Sequence, residues 1–114
     1  MSGIFIGMPQ SVKESLGELP VDFALRKSLA GGTDYIHFFT DKKSQLEKQF
    51  PLLVKNMSEK GMVWISWPKQ SSRIPTDINE NIVREAGLKH GLVDIKVCAV
   101  DEIWSGLKFT HRRK

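Results

Sequence analysis

The sequence predicts a three-layer α/β domain over residues 1–114, with a mostly parallel open sheet of about 5–6 strands and a C-terminal antiparallel hairpin. Three observations carry this. Short apolar runs alternate with helix-period segments along the whole chain, as parallel strands joined by right-handed crossovers require. Two of the runs, YIHFF (Tyr35–Phe39) and MVWISW (Met62–Trp67), are apolar at almost every position, as in strands covered on both faces. The last two runs are linked by a stretch too short for a crossover, so the final strand runs antiparallel to its predecessor.

Each element has its own local reason. Gly3–Met8 (GIFIGM) is the first strand. Gln10–Leu16 follows as a short helix with Val12 and Leu16 at i, i+4, and Val21–Leu25 is a second, weaker strand. Gly31-Gly32 supplies the turn into Tyr35–Phe39. In TDKKSQLEKQFPLLVKNM, residues Leu46, Phe50, Leu53, Val54 and Met57 recur on one helical face. Thr40 or Asp41 is positioned to cap that helix. Pro51, which lacks an N–H, predicts a kink or break near Phe50, and Lys60-Gly61 a helix stop. Met62–Trp67 reads as the central strand and Pro68 ends it. After the polar loop KQSSRIP, Asp77 and Glu80 stand at capping-box spacing before a helix striped by Ile78, Ile82, Val83 and Ala86. Gly91 closes that helix. In Val93–Val100, a strict alternation puts Val93, Ile95, Val97 and Ala99 on one face and Asp94, Lys96 and Cys98 on the other, the half-polar pattern of an edge strand. Leu107–Thr110 is the last strand.

The composition, 40% hydrophobic and 26% charged, is that of a globular chain rather than a disordered or membrane one. No run reaches the roughly 18 apolar residues of a membrane span, and MSGIFIGMP is too short for a signal sequence. Cys98 is the single cysteine and has no disulfide partner, which fits a reducing compartment. These features lead us to expect a cytoplasmic protein. The net charge of +4 draws partly on the tail His111-Arg112-Arg113-Lys114. This tail reads more simply as a solvated end than as a nucleic-acid contact, because no basic stripe with interleaved aromatics accompanies it.

In open α/β sheets, ligands bind outside the carboxyl ends of the parallel strands. Those ends carry Gly7-Met8-Pro9, Thr40-Asp41 and Trp67-Pro68-Lys69, and the hairpin turn Asp101-Glu102-Ile103-Trp104 lands on the same rim. The candidate ligand-binding residues are therefore Trp67, Lys69, Asp101 and Trp104. Lys69 is placed to pair with Asp101 or Glu102 and orient an anion, and the two tryptophans to stack on a planar ligand. The simpler alternatives are a surface salt bridge and two core-covering aromatics. His37, inside an apolar strand, reads as a satisfied core histidine, and His90 as a helix-end residue suited to the dipole. No metal-ligand spacing, nucleophile elbow or phosphate-binding loop occurs, and Ser66 has no base partner recognisable in the sequence. No catalytic residue, metal or cofactor is assigned. The expected partner is a small anionic or planar ligand or another protein.

The stretch GMVWISWPKQSSRIPTDINENIVREAGLKHGLVDIKVCAVDEIWSGLKF resembles a bacterial domain-of-unknown-function family. In that family an aliphatic strand ends in W-P-K, T-D opens a helix, and G-L-V-D-x-K-V-C-A-V-D-x-x-W-S-G-L-K-F follows; the last pattern matches Gly91–Phe109. The family implies no activity and no catalytic residue. Its members usually carry an extra segment ahead of the first strand, whereas this sequence starts almost at that strand. The layout is also similar to a reduced Rossmann-like fold, that of class I methyltransferases. GIFIGM, VDFAL, YIHFF and MVWISW then match that fold's first, second, fourth and fifth strands, the third strand and its helix being absent. That similarity implies a glycine-rich turn after the first strand and an acid after the second. This chain has Gly7-Met8-Pro9-Gln10 and Leu25-Arg26-Lys27 there, so the expectation is a non-catalytic binding module, with a methyltransferase-like enzyme bearing a reduced nucleotide site as the alternative. A third expectation, weaker than both, is nucleic-acid binding through the basic tail.

Overall fold

The structure, a computed structural model, describes residues 2–16, 24–25 and 29–111, with the side chains of residues 15, 16, 24 and 25 left out of the description. Of the expected second strand only Ala24–Leu25 falls within it; Arg26, Lys27 and the tail Arg112–Lys114 lie outside the described residues.

Along the chain the elements are β1 (Ser2–Ile6), α1 (Gln10–Leu16), β2 (Ala24–Leu25), β3 (Thr33–Phe39), α2 (Lys43–Asn56), β4 (Met57–Pro68), α3 (Glu80–Lys89), β5 (Leu92–Ala99) and β6 (Trp104–His111). They form one six-stranded sheet in the order β2-β1-β3-β4-β6-β5. The first four strands are mutually parallel, β6 is antiparallel to β4, and β5 is antiparallel to β6. This is the α/β architecture expected, with the tryptophan-bearing strand central and the hairpin at one edge. Among the described residues no helix is long and apolar enough to cross a membrane.

Crossover geometry sets the layers. The step from β1 to β2 moves one way along the sheet, and the steps from β3 to β4 and from β4 to β5 move the other way. Right-handed crossovers therefore put α1 on one face and α2 with α3 on the opposite face. The core fills the α2/α3 side. Ile36, Phe38, Val63, Ile65, Leu107 and Phe109 from the strands meet Leu46, Phe50 and Leu53 of α2 and Val83 of α3, all buried.

Several local expectations are corrected. Helix α2 runs unbroken through Pro51. Pro51 is exposed, so the carbonyl it leaves without a donor faces water, while the fully buried Leu46, Phe50 and Leu53 hold the turns on either side. The helix stops at Asn56 instead of Lys60, and β4 begins at Met57 and passes through Gly61. Gly61 is needed for close approach: a Cβ there would lie 2.7 Å from Ser58 Oγ and 3.0 Å from the Asp34 carbonyl of β3. The caps are exchanged as well. Asn79 caps α3 by accepting from Ile82 N at 2.9 Å. Asp77 instead reaches across to α2 and accepts from Lys43 N at 2.7 Å. Thr40 and Asp41 do not cap α2; Thr40 Oγ1 accepts from Lys42 N just ahead of it.

The alternation expected in β5 is broken by a register shift between Asp94 and Lys96. An inserted residue reverses the phase of everything before it. Val93, opposite Thr110, thus shares a face with Lys96 and Cys98, while Asp94, opposite Phe109, shares one with Val97. The reversal turns Asp94 toward α3, where its carboxylate accepts from Arg84 Nε at 3.0 Å.

Candidate functional site

The two crossover directions diverge between β1 and β3, making a topological switch point at their carboxyl ends, where open α/β sheets take ligands. Gly7 leaves β1 there with φ of 70°, a left-handed conformation costly for other residues. A Cβ at Gly7 would sit 2.9 Å from the carbonyl oxygen of Phe39, so glycine lets the exit of β1 lie against the end of β3. Thr40 follows, its N–H bonded to the Ser66 carbonyl of β4 at 3.1 Å.

One strand further along, the hairpin bend meets the end of β4. Lys69 N donates to the Ile103 carbonyl at 2.8 Å, and Lys69 Nζ donates to the Asp101 main-chain carbonyl at 2.6 Å. The expected ion pair with Asp101 or Glu102 is not formed, because the Asp101 carboxylate is occupied by the bend itself. Its Oδ1 accepts from Ile103 N at 2.8 Å and Trp104 N at 2.7 Å. Its Oδ2 accepts from Ser11 Oγ of α1 at 3.1 Å. Partial burial works against the charged form, yet the N–H groups of Trp104 and Ile103, the Ser11 hydroxyl and the Lys69 charge together hold the carboxyl below its usual range. Asp101 thus fastens three elements at one point: the β5–β6 bend, α1 and, through its carbonyl, the end of β4.

Lys69, Asp101 and Trp104 come together as the sequence suggests, but the tryptophans part company. Trp67 pairs with Ser105 and is 6% exposed within the α2/α3-side core. Trp104 pairs with Pro68, one residue on, and so lies on the opposite face, half-buried and edge-on to Phe39 at 5.6 Å. The two rings do not face each other across one cleft.

Sequence reading missed a polar chain beneath this rim. His37 Nε2 lies 2.6 Å from Ser66 Oγ, and His37 Nδ1 lies 3.0 Å from Tyr35 Oη. Ser66, read as lacking a base, therefore has one. Desolvation pushes the imidazole down to about 3, so it is neutral at physiological pH, and burial pushes the Tyr35 phenol up to about 12. Phe39 stacks on the imidazole at 4.1 Å and Ser66 is fully buried, so the hydroxyl cannot reach a substrate. The chain satisfies core polar groups, as read for His37. The parallel register that joins residues 37 and 66 is a tertiary fact with no sequence signal. Among the described residues no group of His, Cys, Asp or Glu is placed to hold a metal ion.

Compared with known proteins, the chain matches no family model and no curated protein. Solved structures do match. Similarity extends to the ribosomal protein L11 methylase of Lactobacillus delbrueckii subsp. bulgaricus, with a TM-score of 0.62 at 14% identity over 98% of this chain and 70% of that one. The magnesium protoporphyrin IX methyltransferase of Synechocystis PCC 6803, with bound S-adenosylmethionine, matches with a TM-score of 0.61 at 10% identity over 90% of this chain. LepI in complex with S-adenosylmethionine matches with a TM-score of 0.62 at 11% identity over 97% of this chain. The chain spans 52% of the Synechocystis enzyme and 36% of LepI. At such identities the likeness concerns the fold, and the fold is a Rossmann-like, methyltransferase-like α/β sheet.

Proposed function

We propose that this chain is a methyltransferase-fold binding module without methyl-transfer chemistry of its own, and that its contact surface is the strand-end rim. The observation that carries the reading is the hydrogen bonding of Asp101. A carboxylate that accepts from Ile103, Trp104 and Ser11 is a structural clasp, so Asp101 is not available for proton transfer at the bend. Each rim residue then has a role. Asp101 holds the bend, and Trp67 supports it from the core. Lys69, with ammonium donors beyond the one given to Asp101, and the half-buried Trp104 are the groups that meet a small anionic or planar ligand, or a protein partner. The sequence supports the same reading where a nucleotide would be held, since Leu25 is followed by Arg26-Lys27 where ribose recognition needs an acid. The lone Cys98, free of a disulfide partner, supports a cytosolic setting.

A second reading, an enzyme with a reduced S-adenosylmethionine site, is favoured by one observation. Gly7 gives a left-handed turn pressed against Phe39 at the switch point, in a fold shared with two proteins solved with that cofactor bound. Calorimetry separates the two. On the binding-module reading, millimolar S-adenosylmethionine gives no heat, while benzoate, a planar anion, shifts the Trp104 indole N–H resonance and fails to do so in Lys69→Met. Saturable cofactor heat at micromolar concentration establishes the enzyme reading instead.

A further inference from the structure

The face of the sheet opposite the α2/α3 core carries a row that crosses five strands. Phe5, His37, Trp64, Lys108 and Lys96 are successive cross-strand partners on β1, β3, β4, β6 and β5. Cross-strand partners project from one face. Ring contacts follow the row: Phe5 to His37 at 5.8 Å and His37 to Trp64 at 6.0 Å. The next row toward the start of the parallel strands holds Tyr35, Met62, Thr110 and Val93, all half-buried.

The lysines in this row are hard to explain by stability. Like charges directly opposite in a sheet repel. Lys96 is exposed and Lys108 half-buried, and neither forms an ion pair among the described residues. Neither row contains an acid. The acids nearest in sequence are directed elsewhere: the β5 register shift turns Asp94 to Arg84 on the other face, and Asp101 is committed to the bend. Among the described residues, what remains is a cationic pair with no acid beside it, next to an indole. The aromatic interleaving absent from the sequence around the basic residues is present across strands.

We propose that this sheet face binds single-stranded nucleic acid, with Trp64 offering a stacking surface for a base and Lys108 and Lys96 meeting the phosphates beside it. Helix α1 shares this face toward the strands' carboxyl ends, where Ser11 reaches Asp101, and the row presents an indole. Paired bases hide the faces an indole would stack on, whereas unpaired bases expose them. Cations without local counter-charge suit a polyanion, whose bound counterions they release. The row lies on the same face as Trp104 but two cross-strand rows away from it, and its test does not depend on the cofactor titration.

The test is fluorescence anisotropy of a labelled oligothymidylate with the full chain, at salt from about 50 mM upward. Binding is expected to weaken steeply with salt. Lys96→Gln/Lys108→Gln should lower affinity about tenfold at low salt and reduce the log–log salt slope by about 0.7 per lysine, while Lys→Arg at both positions restores it. Trp64→Leu should cost about fivefold or more without changing the slope. The glutamine variants keep the test sound if Trp64→Leu fails to fold, because they remove a repulsion. The proposal is overturned if the double glutamine variant binds as tightly as the parent or if duplex binds as well as single strand. It is equally overturned if affinity follows Arg112→Gln/Arg113→Gln alone, or if polyglutamate binds at the same face as tightly, which would make an acidic protein segment the partner.

Discussion

The two faces of one sheet are built from the same strands and end in different states. On β3, Ile36 and Phe38 are 0% and 2% exposed, whereas Tyr35 between the strand's start and Ile36 is half-buried. On β4, Val63 and Ile65 are fully buried and Met62 and Trp64 half-buried; on β6, Leu107 and Phe109 are fully buried and Lys108 and Thr110 half-buried. The face under α2 and α3 uses aliphatic and phenyl side chains that gain nothing from water. The other face buries His37, Phe39 and Ser66 toward the strands' carboxyl ends. Elsewhere it uses the half-buried Tyr35, Met62, Trp64, Lys108 and Thr110, most of them with an apolar body and a polar tip that tolerate a wet boundary. Stability is therefore concentrated on one side, and the other is left free to carry polar contacts.

The largest expected effect tests that asymmetry directly. Ile65→Ala, at the fully buried centre of β4, should cost about 2–5 kcal/mol in urea unfolding. A loss below about 1 kcal/mol would mean the core does not rest on this face. The position was legible in the sequence, because MVWISW is the most continuous apolar run. The asymmetry was not. An apolar run predicts cover on both faces, and it does not distinguish Val63 and Ile65 from Met62 and Trp64. The half-buried state of the second set depends on which helices the crossovers place over each face.

The second effect concerns the one buried histidine on the more open face. His37 is neutral when folded, with its pKa pushed down to about 3, but titrates near 6.5 when unfolded. Below pH ~6.5 the unfolded chain takes up a proton that the folded chain refuses, so stability falls as the solution becomes more acidic. The slope approaches about 1.4 kcal/mol per pH unit for one proton. Asp34 and Asp101, both held below the usual carboxylate range, lose their stabilising contribution only at lower pH, as acid passes through their depressed values. For Asp34 the Ser2 N–H and the Ser58 hydroxyl are the chief causes. Unfolding free energy measured between pH ~6.5 and ~4.5 thus isolates the imidazole, and His37→Phe should flatten the profile there. An unchanged slope in that variant would show that His37 is accessible to protons in the folded state.

Next in size is Gly87 of α3, where an added Cβ would lie 2.1 Å from Phe109 Cε1. Alanine favours helix over glycine by about 1 kcal/mol. Even so, Gly87→Ala should destabilise by about 1–3 kcal/mol, since Phe109 is fully buried and packed edge-on against Phe50 at 5.9 Å and has no room to swing away. A stabilised variant would mean that the α3–β6 contact is looser than the distances imply.

How much of the candidate site could be read beforehand follows from the same distinction between local and tertiary signals. The meeting of the hairpin bend with Lys69 was legible, because strand order and a short link leave the bend few places to go. The partner of the Lys69 ammonium was not, because Asp101 sits in a turn whose own N–H groups compete for its carboxylate. The faces of the two tryptophans also escaped, because Trp104 pairs with Pro68 and Trp67 with Ser105, a one-residue offset that only the register reveals. The register shift in β5 hid the last feature, the alignment of Lys96 with Lys108.

That alignment yields the smallest expected change in stability and the sharpest contrast between the faces. Lys96→Gln removes one of two opposed charges on the more open face and touches nothing in the core. Thermal unfolding at low salt should show it neutral or slightly stabilised, within about 0.5 kcal/mol of the parent, with the gain fading as salt screens the pair. Ordinary surface lysines would show no such salt dependence, and a lysine held by an unseen carboxylate would show the opposite sign. A destabilised Lys96→Gln would therefore mean that the pair is compensated within the folded chain. The more open face would then be as self-satisfied as the one beneath the helices.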